Sequence, residues 1–238
     1  MDEKIEKLKD WIAGSDNIVF FGGAGVSTES GIPDFRSVDG LYHQQFQYPP
    51  ETMLSHSFYA SHTEEFFDFY RKKLLALWAK PNMAHRKLAE LEQAGKLRAV
   101  ITQNIDGLHQ MAGSHEVLEL HGSILRSYCS LCGKPYPADK MNHGQGVPHC
   151  TCGGVIRPDI VLYEEPLDEN VITEAVRVIS EAEVLIIGGT SLNVYPAAGL
   201  INYYRGNKLA LVNLSSTPYD DEADLVINEK IGKVFSQL

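Results

Sequence analysis

Residues 18–31 read IVFFGGAGVSTESG. The apolar run at 18–21 is too short for a helix and lacks the alternation of a half-exposed strand, so it reads as a strand buried on both faces. Glycines at 22, 23, 25 and 31 then break the run into a turn. Missing Cβ atoms there let backbone N–H groups approach a phosphate. Runs of the same kind recur at 99–102, 117–120, 184–187, 209–212 and 225–227, and helical patterns fill 82–94 and 168–180, each followed by such a run. That alternation is expected of βαβ units, so the predicted fold class is α/β, a doubly wound parallel sheet.

Two stretches of the 238-residue chain break the alternation. Residues 37–81 are rich in aromatics and mainly helical, whereas 123–157 hold all four cysteines and much glycine and proline. Both read as insertions. If they leave the same end of the sheet, they pack together as a second, smaller domain and leave a cleft where open α/β sheets bind ligands. The predicted division is a nucleotide-binding domain over 1–36, 82–122 and 158–238, with a helical module at 37–81 and a metal module at 123–157.

The start of the chain, MDEKIEKLKDW, is a mixed-charge amphipathic helix with Ile5, Leu8 and Ile12 on one face. It lacks the apolar run of a signal peptide, and no stretch approaches the ~20 apolar residues of a membrane span. A cytoplasmic location without membrane association is expected. The formal charge of −10, with no clustered basic patch, disfavours nucleic acid as a partner.

The glycine loop is an incomplete dinucleotide fingerprint, because Thr28 stands where a third glycine belongs, and no lysine makes it a Walker loop. A tight βα turn is the competing reading. In the following Ile32-Pro33-Asp34-Phe35-Arg36, an aromatic ring and a guanidinium can cover a ring and pin an anion, although core packing explains Phe35 equally well. The second strand runs into Thr102-Gln103-Asn104-Ile105-Asp106-Gly107-Leu108-His109, which puts polar side chains at the carboxyl end of the sheet. Asp106 also suits a helix N-cap. The third strand delivers His121-Gly122 to the same edge, where a histidine is the natural general base near neutral pH.

Cys129-Ser130-Leu131-Cys132 and Cys150-Thr151-Cys152 have the spacing of a four-thiolate zinc site, the second pair one residue short of the usual knuckle. Cys129, Cys132, Cys150 and Cys152 are the expected ligands, with His149 or His143 able to replace one. A closed site of this kind is structural, because no coordination position is left to activate water.

Taken together, Gly23-Ala24-Gly25-Val26-Ser27, Ser30-Gly31-Ile32-Pro33-Asp34-Phe35-Arg36, the 102–109 segment, His121-Gly122, the four cysteines and Gly189-Thr190-Ser191-Leu192-Asn193-Val194-Tyr195-Pro196 resemble the sirtuin family, in family order across about 17–230. The resemblance implies a Rossmann-like large domain, one structural zinc ion, and NAD-dependent removal of acyl groups from protein lysines. The products would be free lysine, nicotinamide and 2'-O-acyl-ADP-ribose. It implies NAD contacts from Ala24, Thr28, Phe35, Arg36, Gln103, Thr190, Ser191 and Asn213, and a nicotinamide pocket from Ile105 and Asp106. Asn104 would order water and the ribose, and His121 would be the base. The acyl-lysine peptide would add as a strand between Val161-Leu162-Tyr163-Glu164 and Asn193-Val194-Tyr195, so Val161, Tyr163 and Val194 are substrate candidates.

The sequence departs from the family at Gly22, where many members have threonine, at the short last cysteine pair, and at Tyr163-Glu164-Glu165, which replaces Phe-Gly-Glu. Members that remove acidic acyl groups carry tyrosine and arginine three residues apart. Tyr70 and Lys73 have that spacing, but lysine lacks the bidentate fork, so acetyl is the expected substrate and acidic acyl groups the alternative. Transfer of ADP-ribose to protein is a further alternative, and so is a non-catalytic NAD sensor. Intact His121 and Asn104 argue against both.

Overall fold

The structure is a computed structural model that describes residues 2–35, 40, 48–142 and 144–238. Strand β1 (Ile18–Gly22) is buried at every position. Ile18 and Phe20 enter one core cluster and Val19 and Phe21 another, the two-residue alternation of a pleated strand covered on both faces. β1 pairs in parallel with β2 (Leu97–Thr102) on one side and with β7 (Val184–Gly188) on the other. β3 (Val117–Glu119), β8 (Leu209–Val212) and β9 (Leu225–Ile227) complete a parallel sheet of order β3-β2-β1-β7-β8-β9. All six expected strands are present, in one sheet.

Helices α1 (Asp2–Ala13), α5 (Met83–Gln93) and α9 (Ile231–Phe235) cover the face that carries Phe20, and Ile5, Leu8 and Ile12 point inward as the helical period requires. Helix α8 (Glu169–Glu181) and a 3-10 segment, Ala197–Tyr203, cover the other face. The two longer crossover helices start where their caps dictate. Asn82 accepts the Ala84 N–H at 2.9 Å, and Asp168 accepts those of Asn170 and Val171 at 2.8 and 3.1 Å. At the β9 edge, Lys4 and Lys7 of α1 donate to the carbonyls of Val226 and Asp224 at 2.8 and 3.1 Å.

Within 37–81 the described residues form α2 (Pro50–Met53), α3 (His56–Ser61), α4 (Thr63–Phe69) and a π turn, Tyr70–Leu74. The cysteine segment folds on an antiparallel sheet of order β5-β4-β6, made of β4 (Gly122–Cys129), β5 (Pro135–Pro137) and β6 (Ile156–Ile160), with the short α7 (Asp139–Asn142) beside it. One core joins the two insertions: Phe58, Phe66, Phe67 and Tyr70 cluster with Ile124, Cys129, Cys150 and Ile156. β4 starts on Gly122 at φ 74°, where a Cβ would lie 2.1 Å from the Asp159 carbonyl oxygen. Only glycine lets the chain turn there from the large sheet into the small one. Among the described residues no helix is long and apolar enough to cross a membrane.

Candidate active site

The chain builds outward from β1 through β2 to β3, then returns to the other side of β1 and builds outward again through β7, β8 and β9. Ligands of such sheets bind at that reversal, beyond the carboxyl ends of the strands. Register makes the edge even: Gly22 lies beside both Thr102 and Gly188, Thr102 beside Glu119, and Gly188 beside Val212. The next residues, Gly23, Gln103, Leu120, Gly189 and Asn213, therefore emerge in one row, with His121 one step beyond.

The β1 and β7 loops touch. Gly25 N–H donates to the Gly189 carbonyl at 2.7 Å, and a Cβ on Gly25 would stand 2.8 Å from Gly189 Cα. Gln103 Nε2 donates to Thr190 Oγ1 at 3.1 Å, which links the β2 and β7 loops. Ala24 and Ser191 are half-buried and Thr190 is buried, while Thr28 is exposed and its hydroxyl donates to the Gly25 carbonyl at 3.0 Å. The expected helix after the loop is replaced by two 3-10 turns, Ala24–Val26 and Thr28–Ser30, ended by Gly31 at φ 85°. Glycine, serine and threonine dominate this segment and favour turns over a regular helix. Asn213 is half-buried at the end of β8, its Nδ2 donating to the Ser215 carbonyl at 2.7 Å. Arg36 lies outside the described residues.

Behind the loop is a buried polar network. Ser27 Oγ donates to Asp106 Oδ2 at 2.6 Å, Asn104 Nδ2 donates to Ser27 Oγ at 3.1 Å, and Leu108 N–H donates to Asp106 Oδ1 at 2.9 Å. Burial pushes the Asp106 carboxyl up, and the Ser27 and Leu108 donors oppose that. Asp106 is not the N-cap that its residue type suggested: Gly107, at φ 71° and with no side-chain cap bond, begins α6 (Leu108–Ala112), while Asp106 closes the turn before it and anchors the network. Ile105 and Phe35 are half-buried against the shared core of the insertions.

The ring of His121 lies 2.8 Å through Nδ1 from the Gln103 carbonyl. A carbonyl only accepts, so the proton is on Nδ1 and Nε2 carries the lone pair. Burial lowers the imidazole pKa below its ordinary value, with the Gln103 bond opposing. The result is a neutral imidazole of fixed tautomer at the sheet edge.

The candidate peptide lip hangs from this strand end. Val161 N–H donates to the His121 carbonyl at 3.0 Å, and Tyr163 pairs with Ser55 through Tyr163 N–H to Leu54 O at 2.9 Å and His56 N–H to Tyr163 O at 3.0 Å. Both backbone groups of Tyr163 are thus in use, while its side chain is exposed. Glu164 has φ 75°, the left-handed region in which glycine is free of strain, and its carboxylate accepts from Ser57 N and Oγ, each at 2.9 Å. Val194 is half-buried in the loop after β7, and its carbonyl accepts the Ala198 N–H at 2.8 Å.

Tyr70 is fully buried and its hydroxyl lacks a hydrogen-bond partner among the described residues; burial raises its pKa. Lys73 is half-buried. The helix face expected from their spacing is replaced by the π turn, closed by Leu75 N–H on the Tyr70 carbonyl at 3.0 Å. The wider turn moves residues three apart off a common line.

The four cysteine Sγ atoms lie within 4.8 Å of one another, with Cys129–Cys152 at 3.4 Å and Cys132–Cys150 at 3.8 Å. A disulfide would bring sulfurs to ~2.05 Å, whereas a tetrahedron with ~2.3 Å metal–sulfur arms has edges of about 3.8 Å. The cysteines are free thiols whose donor set fits zinc. His149 turns its Nδ1 to the Gly153 carbonyl at 3.2 Å and is not part of the cluster. His143 lies outside the described residues.

A family model described as Sir2 family matches residues 23–196. The chain belongs to the Sir2 family. It is 61% identical over 242 residues to a curated relative from Clostridium perfringens named NAD-dependent protein deacetylase, covering 100% of this chain and 99% of the relative. A solved Sir2 complex with a deacetylated p53 peptide and 3'-O-acetyl ADP ribose superimposes with a TM-score of 0.91 at 41% identity, over 98% of this chain and 96% of that one. A Sir2 bound to acetylated peptide gives 0.87 at 40% identity, with the same coverage.

Of the residues singled out from the sequence, this Sir2 fold gathers Gln103 and Thr190 in one hydrogen bond and joins Asn104 to Asp106 through Ser27. Ser27 received no role from the sequence, although it is the hub. Its partners are 77 and 79 residues away, so nothing local marks it.

Proposed function

We propose that this Sir2 protein removes acetyl groups from protein lysines in an NAD-consuming reaction that transfers the acyl group to ADP-ribose and releases nicotinamide and free lysine. The observation that carries the proposal is the tautomer of His121, a neutral imidazole with its free lone pair at the ligand edge of the sheet. The activity for which the Clostridium perfringens relative is named agrees with this reading.

Gly23 and Gly25 let the β1 and β7 loops close on each other, since a Cβ on either would meet Thr190 or Gly189, and that closed pair of loops stands at the sheet edge where a dinucleotide would bind. Ala24, Thr28, Phe35, Arg36, Gln103, Thr190, Ser191 and Asn213 would hold NAD, with Ile105 and Asp106 around its nicotinamide. When bound, NAD supplies a ribose carbon that the acyl oxygen attacks as nicotinamide leaves. His121 Nε2 takes a proton from a ribose hydroxyl, and its Nδ1–H stays on Gln103, so the ring is held ready without reorganisation. Asn104, tethered through Ser27 to Asp106, keeps its amide oxygen available to order water beside the ribose. Val161, Tyr163 and Val194 would line the path of the acyl-lysine strand. Because Tyr163 already spends its backbone on Leu54 and His56, the peptide pairs with its neighbours.

The division assigned is 1–36, 82–122 and 158–238 for NAD, with 37–81 and the zinc module 123–157 forming the small domain. One structural zinc ion on Cys129, Cys132, Cys150 and Cys152 secures that domain. Acyl-lysine proteins of the cytoplasm are the partners, and the −10 charge keeps nucleic acid away. A second reading, removal of acidic acyl groups, is favoured by the Tyr70 hydroxyl, which has no hydrogen-bond partner among the described residues.

Product analysis by mass spectrometry tests the proposal, with NAD and parallel acetyl-lysine and succinyl-lysine peptides. Loss of acetyl with formation of acyl-ADP-ribose, abolished by His121→Ala, is expected. Faster use of the succinyl peptide would favour the second reading. ADP-ribose on protein with both peptides unchanged would overturn both.

A further inference from the structure

The two cysteine knuckles differ in length, and a tyrosine sits beside the shorter one. In the first, Cys129 Sγ receives the N–H groups of Leu131 and Cys132 at 3.4 and 3.5 Å, donors two and three residues on. In the second, the residue two positions after Cys150 is itself the ligand Cys152. The donor three positions on, Gly153 N–H, is spent on the Cys150 carbonyl at 2.9 Å. The short knuckle is therefore one backbone donor poorer, and its own Thr151 hydroxyl reaches Cys150 Sγ only at 4.0 Å. Tyr136 brings its hydroxyl to 3.1 Å from Cys150 Sγ.

We propose that Tyr136 is a positioning residue of the zinc site, donating to the Cys150 thiolate the hydrogen bond that the shortened knuckle cannot form. Four thiolates and one divalent cation leave a net charge of −2, so each donor that shares thiolate charge and fixes the direction of a sulfur lone pair strengthens the site. The placement is rigid. Tyr136 pairs with Ser127 across β5 and β4, Cys129 N–H donates to the Lys134 carbonyl at 2.9 Å, and the ring packs half-buried on the core that contains Cys150. The hydroxyl is thus delivered by the sheet that also carries Cys129, so the knuckles are coupled through β5.

Tyr136→Phe in the full-length zinc-loaded protein keeps the ring and removes only the donor. Loss of an outer hydrogen bond to a metal ligand lowers metal affinity by about 10–100-fold. That drop is expected in competition with a colorimetric zinc chelator, together with alkylation that increases selectively at Cys150 when the four cysteines are mapped by mass spectrometry. Melting of the metal-stripped protein is expected to be the same for wild type and variant, which separates the donor from ring packing. Unchanged zinc affinity would overturn the proposal. So would labelling raised evenly at all four cysteines, an equal loss of stability with and without metal, or a wild-type protein that binds no zinc.

Discussion

Acidification should destabilise this fold through one buried histidine. His85 in α5 is fully buried, its Nδ1 accepts the Asn82 N–H at 3.3 Å, and its Nε2 has no partner among the described residues. Its ring lies 4.7 Å from that of His109, which is also buried and also held neutral. Burial lowers the His85 pKa to about 4, against about 6.5 in an unfolded chain. Above the unfolded value both states are neutral and the residue is indifferent to pH. Below it the unfolded chain takes up the proton first, so stability is lost as pH falls toward the folded value. The loss from His85 alone is about 2 kcal/mol between pH 7 and pH 5, and about 3 kcal/mol by pH 4. Urea denaturation of wild type and His85→Asn at pH 7, 6 and 5 reads it. The variant starts less stable because packing is lost, but its stability should decline with acid by about 2 kcal/mol less over that range. Parallel declines would refute the claim that burial keeps His85 neutral. Asp106 works in the opposite direction, because its raised carboxyl takes up a proton more readily in the fold, and the comparison of two proteins at the same pH cancels it.

His121→Ala should lower kcat/KM for an acetyl peptide by about 10²–10⁴, and because the imidazole pKa is lowered in the fold, the acid limb of the wild-type profile should fall below the ordinary histidine value; an inflection above it would contradict the assignment. Ser27→Ala leaves the buried Asp106 short of one donor, a change of about 1–3 kcal/mol, expected as a lower melting temperature and a raised KM for NAD; wild-type values of both would mean that the network is dispensable. Glu164→Gly exchanges backbone strain of about 1–3 kcal/mol against two bonds to Ser57, so stability should move little while KM for the peptide changes and kcat does not. Equal change in both constants would remove Glu164 from the lip.

The strands were legible because the residues that decide them are local. The central apolar runs of β1, β2 and β7 are buried on both faces, while β3 at the sheet edge is only half-buried, and Asn82 and Asp168 start their helices with side chains that bond two or three residues ahead. The glycine loop, Gln103, Asn104, Asp106 and His121 could be placed together because strand ends must meet at one edge. What stayed hidden depends on distant partners or on backbone choice. Ser27 becomes a hub only once β1 and β2 are paired. The π turn at Tyr70 and the left-handed Glu164 go against what their side chains favour locally, and each is held by tertiary contacts. The short CxC knuckle looked deficient because Tyr136, its extra donor, sits on another strand.

The lysines of α1 that rest on the carbonyls of Val226 and Asp224 have a consequence for assembly. β9 ends the large sheet, and a bare final strand is a template on which another copy can continue the ladder. Here two ammonium groups occupy outward carbonyls that an incoming strand would need, and they bring like charge to any second copy that approaches the same way. Growth of the sheet on the β9 side is closed off, whichever way copies of this chain associate.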